Sequence, residues 1–280
     1  MAVLKSNSYG KSQVRLTKVS RHGEHHQLKE LGVDVELAGD FASCYTHGDN
    51  SRIVATDSMK NTVYVLAKNH PLESIEDFAK HLTTHFVNTY PQIACAVAKI
   101  SEVPWDRIEV NGKPHEHSFV GGSSERRTCF VRNDRKTLLV KGGIDRLLVL
   151  KTTKSGFVGY VHDKYTTLKE TTDRIFATSL TATWNYSSPA ANFNSSYESI
   201  RRALLEVFAT HESLSVQQTL YAMGEAALKI CPDISDIELT MPNQHRLLIN
   251  LQPFGLDNPN EIFVPTNEPF GLISGTVSRG

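Results

Sequence analysis

A run of polar side chains before the apolar stretch Val63–Leu66 offers groups that proton transfer requires. Thr56 brings a hydroxyl, Asp57 a carboxylate and Lys60 an ammonium group. Aliphatic and aromatic residues predict a strand over Val63–Leu66, which places these groups at the mouth of that strand. The alternative is a capped turn, in which the hydroxyl and carboxylate groups bond only to the local backbone.

Three other polar runs carry groups of the same kinds. They are Tyr9-Gly10-Lys11, Tyr165–Thr171 and Pro242-Asn243-Gln244-His245. Lysine and histidine accept protons where their pKa lies near the working pH, and amides and hydroxyls orient a ligand through hydrogen bonds. One short run is weak evidence because such motifs match by accident, whereas four runs together favour a functional site.

Histidines form two clusters, but neither has the ligand set of a metal site. Arg21–His26 holds three histidines around Gly23, which is typical of a solvated hairpin turn. His115-Glu116-His117 follows Gly112-Lys113-Pro114 in a predicted loop and has no obvious third ligand. The four cysteines form no C-x-x-C pair: Cys44, Cys95, Cys129 and Cys231. The sequence therefore predicts no metal, and reduced thiols in a reducing compartment.

Composition excludes several classes of protein. Lys plus Arg equals Asp plus Glu, at 30 each among 280 residues, so the positive excess of a nucleic-acid or membrane surface is missing. No apolar run reaches the roughly 18 residues that span a bilayer, and no signal-peptide core is present. The terminal Ser278-Arg279-Gly280 is not a Ser-Lys-Leu peroxisomal signal, so we predict a cytoplasmic protein.

Hydrophobic spacing in the first half predicts strands around one long helix. Alternation near Val14 and in Val33–Leu37 indicates two strands, and another is predicted at Ile93–Ile100. Residues 71–91 predict a helix, with Ser74 and Asp77 as a capping box. Its apolar face consists of Ile75, Phe78, Ala79, Leu82 and Phe86.

The second half repeats this order. Strands are predicted at Arg146–Leu150, around Phe157 and at Ala177–Trp184, which echoes a strand at Ala55–Ser58. One helix, with Ser195 and Glu198 as its capping box, has an apolar stripe of Ile200, Ala203, Leu204, Val207 and Phe208. A second helix starts at Ser215, is capped with Gln218 and buries Val216, Leu220, Met223, Ala227 and Ile230. Strand alternation returns at Ile237 and Leu239, and at Leu247, Ile249 and Leu251.

The element order predicts an α+β fold in which helices cover one face of an antiparallel sheet. Because the pattern occurs twice, we predict two pseudosymmetric modules, residues 1–138 and 139–280, divided within the polar, glycine-containing stretch 133–143. Each short sheet would leave open edges, and oligomerisation would cover them.

At this point the motifs resemble the urate oxidase (uricase) family, in order and at compatible spacing over nearly the whole chain. The resemblance rests on Tyr9–Lys11, Val54–Ser58 with Lys60–Thr62, Lys113–Phe119, Leu148–Thr153, Tyr165–Arg174 and Pro242–His245. Gln252–Gly255 and Asp257–Glu261 are similar to the bacterial branch. Residues 121–141 match poorly, so we assign them no function.

The resemblance implies a tunnelling fold, with two ββααββ-like modules per chain and four chains stacked into a barrel. It implies oxidation of urate by O2 and water to 5-hydroxyisourate and hydrogen peroxide, through a urate dianion and a peroxo intermediate, with no metal or organic cofactor. It also implies that Thr56 and Asp57 act in the site of a neighbouring subunit, so that a monomer would be inactive.

The resemblance also implies a set of substrate-binding residues. Phe157 would stack on the purine, while Arg174 and Gln217 would bond two of its edges. Backbone groups of Asp57 and Val216, an apolar wall from Leu168 and the amide of Asn243 complete this set. Read without the resemblance, Phe157 is strand core, Arg174 pairs with Asp173 or Glu170, and Gln217 is merely solvated.

Lys11, Thr56 and His245 would form the implied proton relay. Lys11 could act as a base only where burial or nearby cations lower its pKa. Asn243 would hold O2 or water and share a strand face with His245. Without the resemblance, Lys11 would be a solvated lysine, and His245 would be a sheet histidine with its hydrogen bonds satisfied. Two other functions remain open: a pterin or GTP enzyme of the same fold, and a purine-binding module without catalysis.

Overall fold

A computed structural model of the protein describes residues 2–280, which divide into two compact units. The first unit runs to Gly143 and includes Asn185–Asn194. The second unit consists of Ile144–Trp184 and Ser195–Gly280. The expected modules, residues 1–138 and 139–280, stay a prediction.

The first unit builds its sheet from four antiparallel strands in the order β1-β2-β3-β6, and β4 and β5 form a separate hairpin. Helix α3 packs on β3 and β6, and helix α2 contacts β1. In chain order the elements are β1 (Tyr9–His22), β2 (His25–Gly39), α1 (Ala42–His47), α2 (Thr56–Asn69), α3 (Ile75–Thr89), β3 (Ile93–Val103), β4 (Asp106–Val110), β5 (Lys113–Val120) and β6 (Arg126–Asn133).

The second unit orders its main strands β7-β8-β9-β12, and helix α5 packs on β9 and β12. Its elements are most of β7 (Leu138–Lys151), β8 (Phe176–Tyr186) and α4 (Phe193–Thr210), then α5 (Val216–Ile230), β9 (Ile234–Asn243), β10 (Arg246–Leu248), a short 3-10 helix (Gln252–Phe254), β11 (Phe263–Pro265) and β12 (Gly271–Ser278). The order of two strands, two long helices and two strands therefore recurs, which confirms the predicted α+β class.

Helix α2 corrects the prediction of a strand over Val63–Leu66 and of a strand over Ala55–Ser58. Aliphatic and aromatic residues suggested strand, but Met59, Val63 and Ala67 lie four residues apart and are all buried. That spacing buries one helical stripe, and packing overrides the local strand preference. Thr56 and Asp57 therefore lie in the first turn of a helix.

Two predicted helices are confirmed together with their caps. The Ser74 side chain accepts a hydrogen bond from the Asp77 N–H, and Ser215 accepts one from the Gln218 N–H. Every predicted face residue of α3 is buried: Ile75, Phe78, Ala79, Leu82 and Phe86. In α5 only Ile230 departs from the prediction, because it lies at the exposed last turn.

Helix α4 corrects the predicted capping box of Ser195 and Glu198. The helix begins at Phe193, so both residues lie inside it. The aromatic ring of Phe193 is buried, and it packs edge-on against Tyr186 at 4.9 Å between centroids. Of the predicted stripe, Val207 is half-buried and the other four residues are buried: Ile200, Ala203, Leu204 and Phe208.

The structure also corrects three sequence predictions, one of a loop and two of strands. His115–His117 belongs to β5 rather than to a loop. Phe157 forms only an isolated bridge with Thr171, not a strand. The strand predicted through Leu251 ends at Leu248. The carbonyl of the next residue, Ile249, accepts a hydrogen bond from the Asn258 side chain instead of pairing in a strand.

Among residues 2–280, no helix is long and apolar enough to span a bilayer. The same residues contain no group of three histidine, cysteine or acidic side chains placed to hold a metal ion.

Candidate active site

Lys11 stands beside an irregularity in β1. The β1–β2 register shifts between Lys11 and Val14, and Gln13 there has a positive φ of 56°. The Asp34 carboxylate accepts the Gln13 N–H at 2.6 Å. A bulge of this kind bends a strand and redirects its side chains, so the local backbone sets the direction of the half-buried Lys11.

Thr56 and Asp57 are exposed in the first turn of α2. The N-cap residue is Ala55, which provides no side-chain cap. The first N–H groups of a helix lack partners within the helix, and together they favour an anion. This helix start therefore presents a hydroxyl, a carboxylate and free backbone donors to solvent.

The charge of Lys11 acts on the carboxylate of Asp57. A hydrogen bond from Lys60 is the main reason why the pKa of Asp57 is lowered, and the charges of Lys60 and Lys11 and a hydrogen bond from Asn61 lower it further. The structure thus brings together three of the predicted site residues in the first unit. We call Lys11, Thr56 and Asp57 the polar cluster.

The segment between β7 and β8, residues 152–175, carries the predicted stacking residue, and we call it the ring loop. Phe157 exchanges two backbone hydrogen bonds with Thr171, at 2.7 and 3.2 Å. Its ring stacks on Tyr160 at 4.8 Å, and Tyr160 stacks on His162 at 4.7 Å. This ladder of three rings was missed in the sequence, although the spacing 157, 160 and 162 was visible. A planar ligand on Phe157 would extend or replace this stack.

Arg174 lies at the end of the ring loop with its guanidinium carbon 5.3 Å from the centroid of the Phe157 ring. Burial lowers the pKa of Arg174, and no acidic group is placed to oppose that effect. The expected alternative partners are engaged elsewhere: Asp173 accepts from the Thr153 hydroxyl, and Glu170 accepts from the Gly159 N–H. Within residues 2–280, Arg174 is therefore a half-buried cation without a carboxylate partner.

The ring loop is attached to the segment before α5. Ser155 and Ser213 form a parallel bridge, and the Gly156 N–H donates to the Ser213 carbonyl at 2.8 Å. This connection holds the segment of Phe157 beside the segment that leads into α5, where Val216 and Gln217 lie. Val216 is buried, whereas Gln217 is exposed and its amide has no hydrogen-bond partner within the described residues.

Leu168 is exposed for 57% of its surface, and its carbonyl accepts the Tyr160 hydroxyl at 2.6 Å. In the single chain this side chain therefore has little apolar cover. Its expected role as a wall of the site stays a prediction.

Asn243 and His245 lie at the end of β9. Asn243 is the last strand residue and pairs with Gly271, and the following Gln244 N–H donates to the Ala177 carbonyl at 2.9 Å. His245 is half-buried but falls outside the strand. Strand alternation therefore does not place Asn243 and His245 on one face, which corrects the reason given for pairing them.

The two units thus hold different sets of groups. In the first unit, the polar cluster combines an ammonium, a hydroxyl and a carboxylate group with free backbone donors, which suits anion binding and proton transfer. In the second, an aromatic ring and a guanidinium without a carboxylate partner are tied to an exposed helix start, an arrangement suited to a flat anion with hydrogen-bonding edges.

Comparisons with known proteins show the family to which the chain belongs. A family model described as Uricase matches residues 7–132 and 140–274. Uricase from Arthrobacter globiformis is 42% identical over 277 residues, covering 99% of this chain and 90% of that protein. Uricase from Dictyostelium discoideum is 38% identical and covers 100% of this chain and 98% of that protein.

Solved structures show the same fold. The crystal structure of the Arthrobacter globiformis uricase superposes with a TM-score of 0.95 at 42% identity, covering 100% of this chain and 96% of that one. Urate oxidase from Bacillus sp. TB-90 gives a TM-score of 0.84 at 26% identity, covering 98% and 100%. By its sequence over nearly its full length and by its fold, the chain belongs to the uricase family.

Proposed function

We propose that this protein is a urate oxidase that converts urate, O2 and water to 5-hydroxyisourate and hydrogen peroxide. The observation that carries the proposal is Arg174, a half-buried guanidinium beside the Phe157 ring with no carboxylate partner in the described chain. Desolvating a cation without a counter-ion costs free energy, and a bound anion offsets that cost. Urate is a planar anion that fits both groups.

Most of the proposed substrate contacts would come from the second unit. Phe157 stacks on the purine face, and Arg174 presents parallel donors to a carbonyl oxygen and a ring nitrogen. The Gln217 amide both donates and accepts, so it matches an N–H beside a carbonyl. The Val216 backbone N–H adds a donor from the start of α5, and Leu168 shields one side.

Proton transfer would use Lys11, Thr56 and His245. Lys11 takes a proton from urate through the Thr56 hydroxyl, which passes protons without holding charge, and His245 completes the relay. The resulting urate dianion is electron-rich and gives two electrons to O2, with a peroxo group at C5 of the purine as intermediate. Asn243 holds O2 and then the water that displaces peroxide.

The atoms and electrons of this reaction balance without a cofactor. Urate loses two electrons, O2 gains two electrons and two protons to become hydrogen peroxide, and the new hydroxyl oxygen at C5 comes from water. Because O2 takes both electrons from urate, we propose that the reaction uses no redox cofactor and no metal, and that the protein supplies orientation and proton transfer.

The proposed assembly is a homotetramer with sites shared between subunits. Thr56 and Asp57 act on the substrate bound by a neighbouring chain. Because Lys11 lies near Asp57 in the same unit, it would enter the shared site from the same chain as Thr56. The exposed apolar side chains of the C-terminal region, Leu247, Leu248, Phe254 and Leu272, are consistent with burial by another subunit.

Urate consumption by purified protein tests the activity. Oxygen uptake, loss of urate absorbance and peroxide release should proceed in a 1:1:1 ratio and should survive exhaustive chelation. Loss of turnover on chelation, restored by one added metal, would contradict the cofactor-free mechanism. Tight urate binding without oxygen uptake would instead favour a binding module.

Mixed tetramers test the shared site. Thr56→Ala chains co-assembled with Arg174→Ala chains should regain activity, because some interfaces then hold an intact set. Thr56→Ala mixed with Lys11→Met is the matched control and should regain none, since both changes fall on the same side of an interface. Equal recovery in both mixtures would contradict this arrangement.

A further inference from the structure

The phenol of Tyr9 bonds both backbone groups of one distant residue. Its hydroxyl donates to the Val54 carbonyl at 3.1 Å, and it accepts the Val54 N–H at 2.8 Å. Burial raises the pKa of Tyr9, so the phenol keeps the proton that it donates. The ring also packs edge-on against the fully buried Phe41 at 4.9 Å, which fixes its position.

This double hydrogen bond joins the two segments of the polar cluster. Tyr9 lies two residues before Lys11, and Val54 lies two residues before Thr56. At the intervening Gly10 the backbone runs so close to β2 that a Cβ there would lie 2.1 Å from the Val35 carbonyl oxygen. Displacement of Val54 would therefore move Thr56 relative to Lys11.

Helix α2 is attached to β1 at its other end as well. There the Lys18 ammonium donates to the Ala67 carbonyl at 2.9 Å and to the His70 carbonyl. Between the two ends, the Tyr64 hydroxyl lies 3.5 Å from the Arg15 carbonyl. Of these contacts, only the one made by Tyr9 lies within two residues of both Lys11 and Thr56 in the sequence.

We propose that Tyr9 is a positioning residue whose phenol holds Val54, and through it the Thr56 hydroxyl, at a fixed place relative to Lys11. The inference rests on the proposed function of Lys11 and Thr56. Tyr9 acts only through other residues. Its loss should therefore slow proton transfer and leave unchanged the binding of urate by Phe157 and Arg174.

Tyr9→Phe tests the inference because it removes the hydroxyl and keeps the ring against Phe41. We expect kcat to fall about tenfold or more, since small misplacement of reacting groups is costly, while KM changes less than twofold. Tyr64→Phe is the matched control: it removes a phenol that reaches from α2 to β1 away from Lys11 and Thr56, and it should keep kcat within twofold. An unchanged kcat in Tyr9→Phe would overturn the inference.

A double-mutant cycle separates positioning from general destabilisation. If Tyr9 acts through Thr56, adding Tyr9→Phe to Thr56→Ala should lower kcat no further. Losses that multiply in the double variant would contradict positioning and indicate a separate structural effect. Thermal unfolding of all variants checks that each is folded at the assay temperature.

Hydrogen exchange tests the contact without using activity. In the native protein the Val54 amide should exchange slowly, and Tyr9→Phe should accelerate it while Tyr64→Phe should not. Rapid exchange of Val54 in the native protein would overturn the inference even if no variant folds. Native protein that does not oxidise urate, yet shows this exchange pattern, would contradict the proposed function and leave only the contact supported.

Discussion

The polar cluster and the ring loop differ in how the chain holds them. Lys11, Thr56 and Asp57 stand on a strand and a helix, which are joined by the Tyr9–Val54 hydrogen bonds. The ring loop has no helix or strand of its own. The isolated bridge of Ser155 with Ser213 attaches it to the segment before α5, and the bridge of Phe157 with Thr171 lies within the loop.

This difference matches the demands of the proposed chemistry. Proton transfer requires fixed distances between donor and acceptor, which regular elements provide. Recognition of a flat anion tolerates movement until the ligand is bound, and loops are the usual place for such groups. We therefore expect changes in the polar cluster to lower turnover and changes in the ring loop to weaken binding.

The largest effect should come from the polar cluster. Lys11→Met or Thr56→Ala removes one step of the proposed relay, and we expect kcat to fall about 100-fold or more while KM changes little. Steady-state oxygen uptake over a range of urate concentrations measures both constants. A rise in KM with unchanged kcat would reverse the roles assigned to the two regions.

Arg174→Ala should give the opposite pattern. Loss of a charge-assisted hydrogen bond costs about 1.5–3 kcal/mol, so we expect KM for urate to rise by roughly one to two orders of magnitude, with a smaller change in kcat. Arg202→Ala, on the exposed side of α4, is the matched control and should behave like the native protein. If both variants had the same KM and kcat, Arg174 would not be a substrate-binding residue.

Two glycines allow a direct comparison of rigidity. A Cβ at Gly10 would lie 2.1 Å from a backbone oxygen of β2, whereas one at Gly156 would lie 3.1 Å from the Thr172 carbonyl oxygen. We expect Gly10→Ala to cost about 1–3 kcal/mol of stability, and Gly156→Ala less. Unfolding in urea at matched protein concentration measures both, with Gly122→Ala as the control because its Cβ would meet open space. A larger loss for Gly156→Ala would show that the ring loop is the more rigid region.

The smallest effect concerns the carboxyl group of Asp57. Its folded-state pKa is lowered, so its contribution to stability is present above the unfolded value, about 3.9, and is lost as pH falls through the folded value. Lys60→Met should raise the pKa of Asp57 most, and Lys11→Met should raise it less. Carboxyl NMR titration measures these shifts, with Lys68→Met at the far end of α2 as the control. If the pKa of Asp57 did not change in Lys11→Met, Lys11 would not belong to the polar cluster.

The sequence revealed the helices whose signals agree with one another. In α3 and α5 an apolar face at helical spacing follows a serine cap, so both the pattern and the starting residue were predictable. Helix α2 has no side-chain cap and carries Val63, Tyr64 and Val65 in succession. Its strand-like composition hid the buried stripe that forms once the helix packs on β1.

The site was predictable only in part. The family resemblance supplied Arg174, but its neighbours Asp173 and Glu170 made an ion pair equally reasonable. The ring loop turns those carboxylates towards Thr153 and Gly159, and such a loop conformation has no periodic signal in the sequence. The contact of Tyr9 with Val54 spans 45 positions and was invisible for the same reason.

The ladder of Phe157, Tyr160 and His162 also bears on how such a chain could diversify. Its last two rings belong to a loop, and loops in general accept substitution and changes in length more readily than the strand and helix that carry Lys11 and Thr56. Under the proposed function, a few changes in this loop would therefore alter which heterocycle is accepted and leave the groups proposed for proton transfer in place.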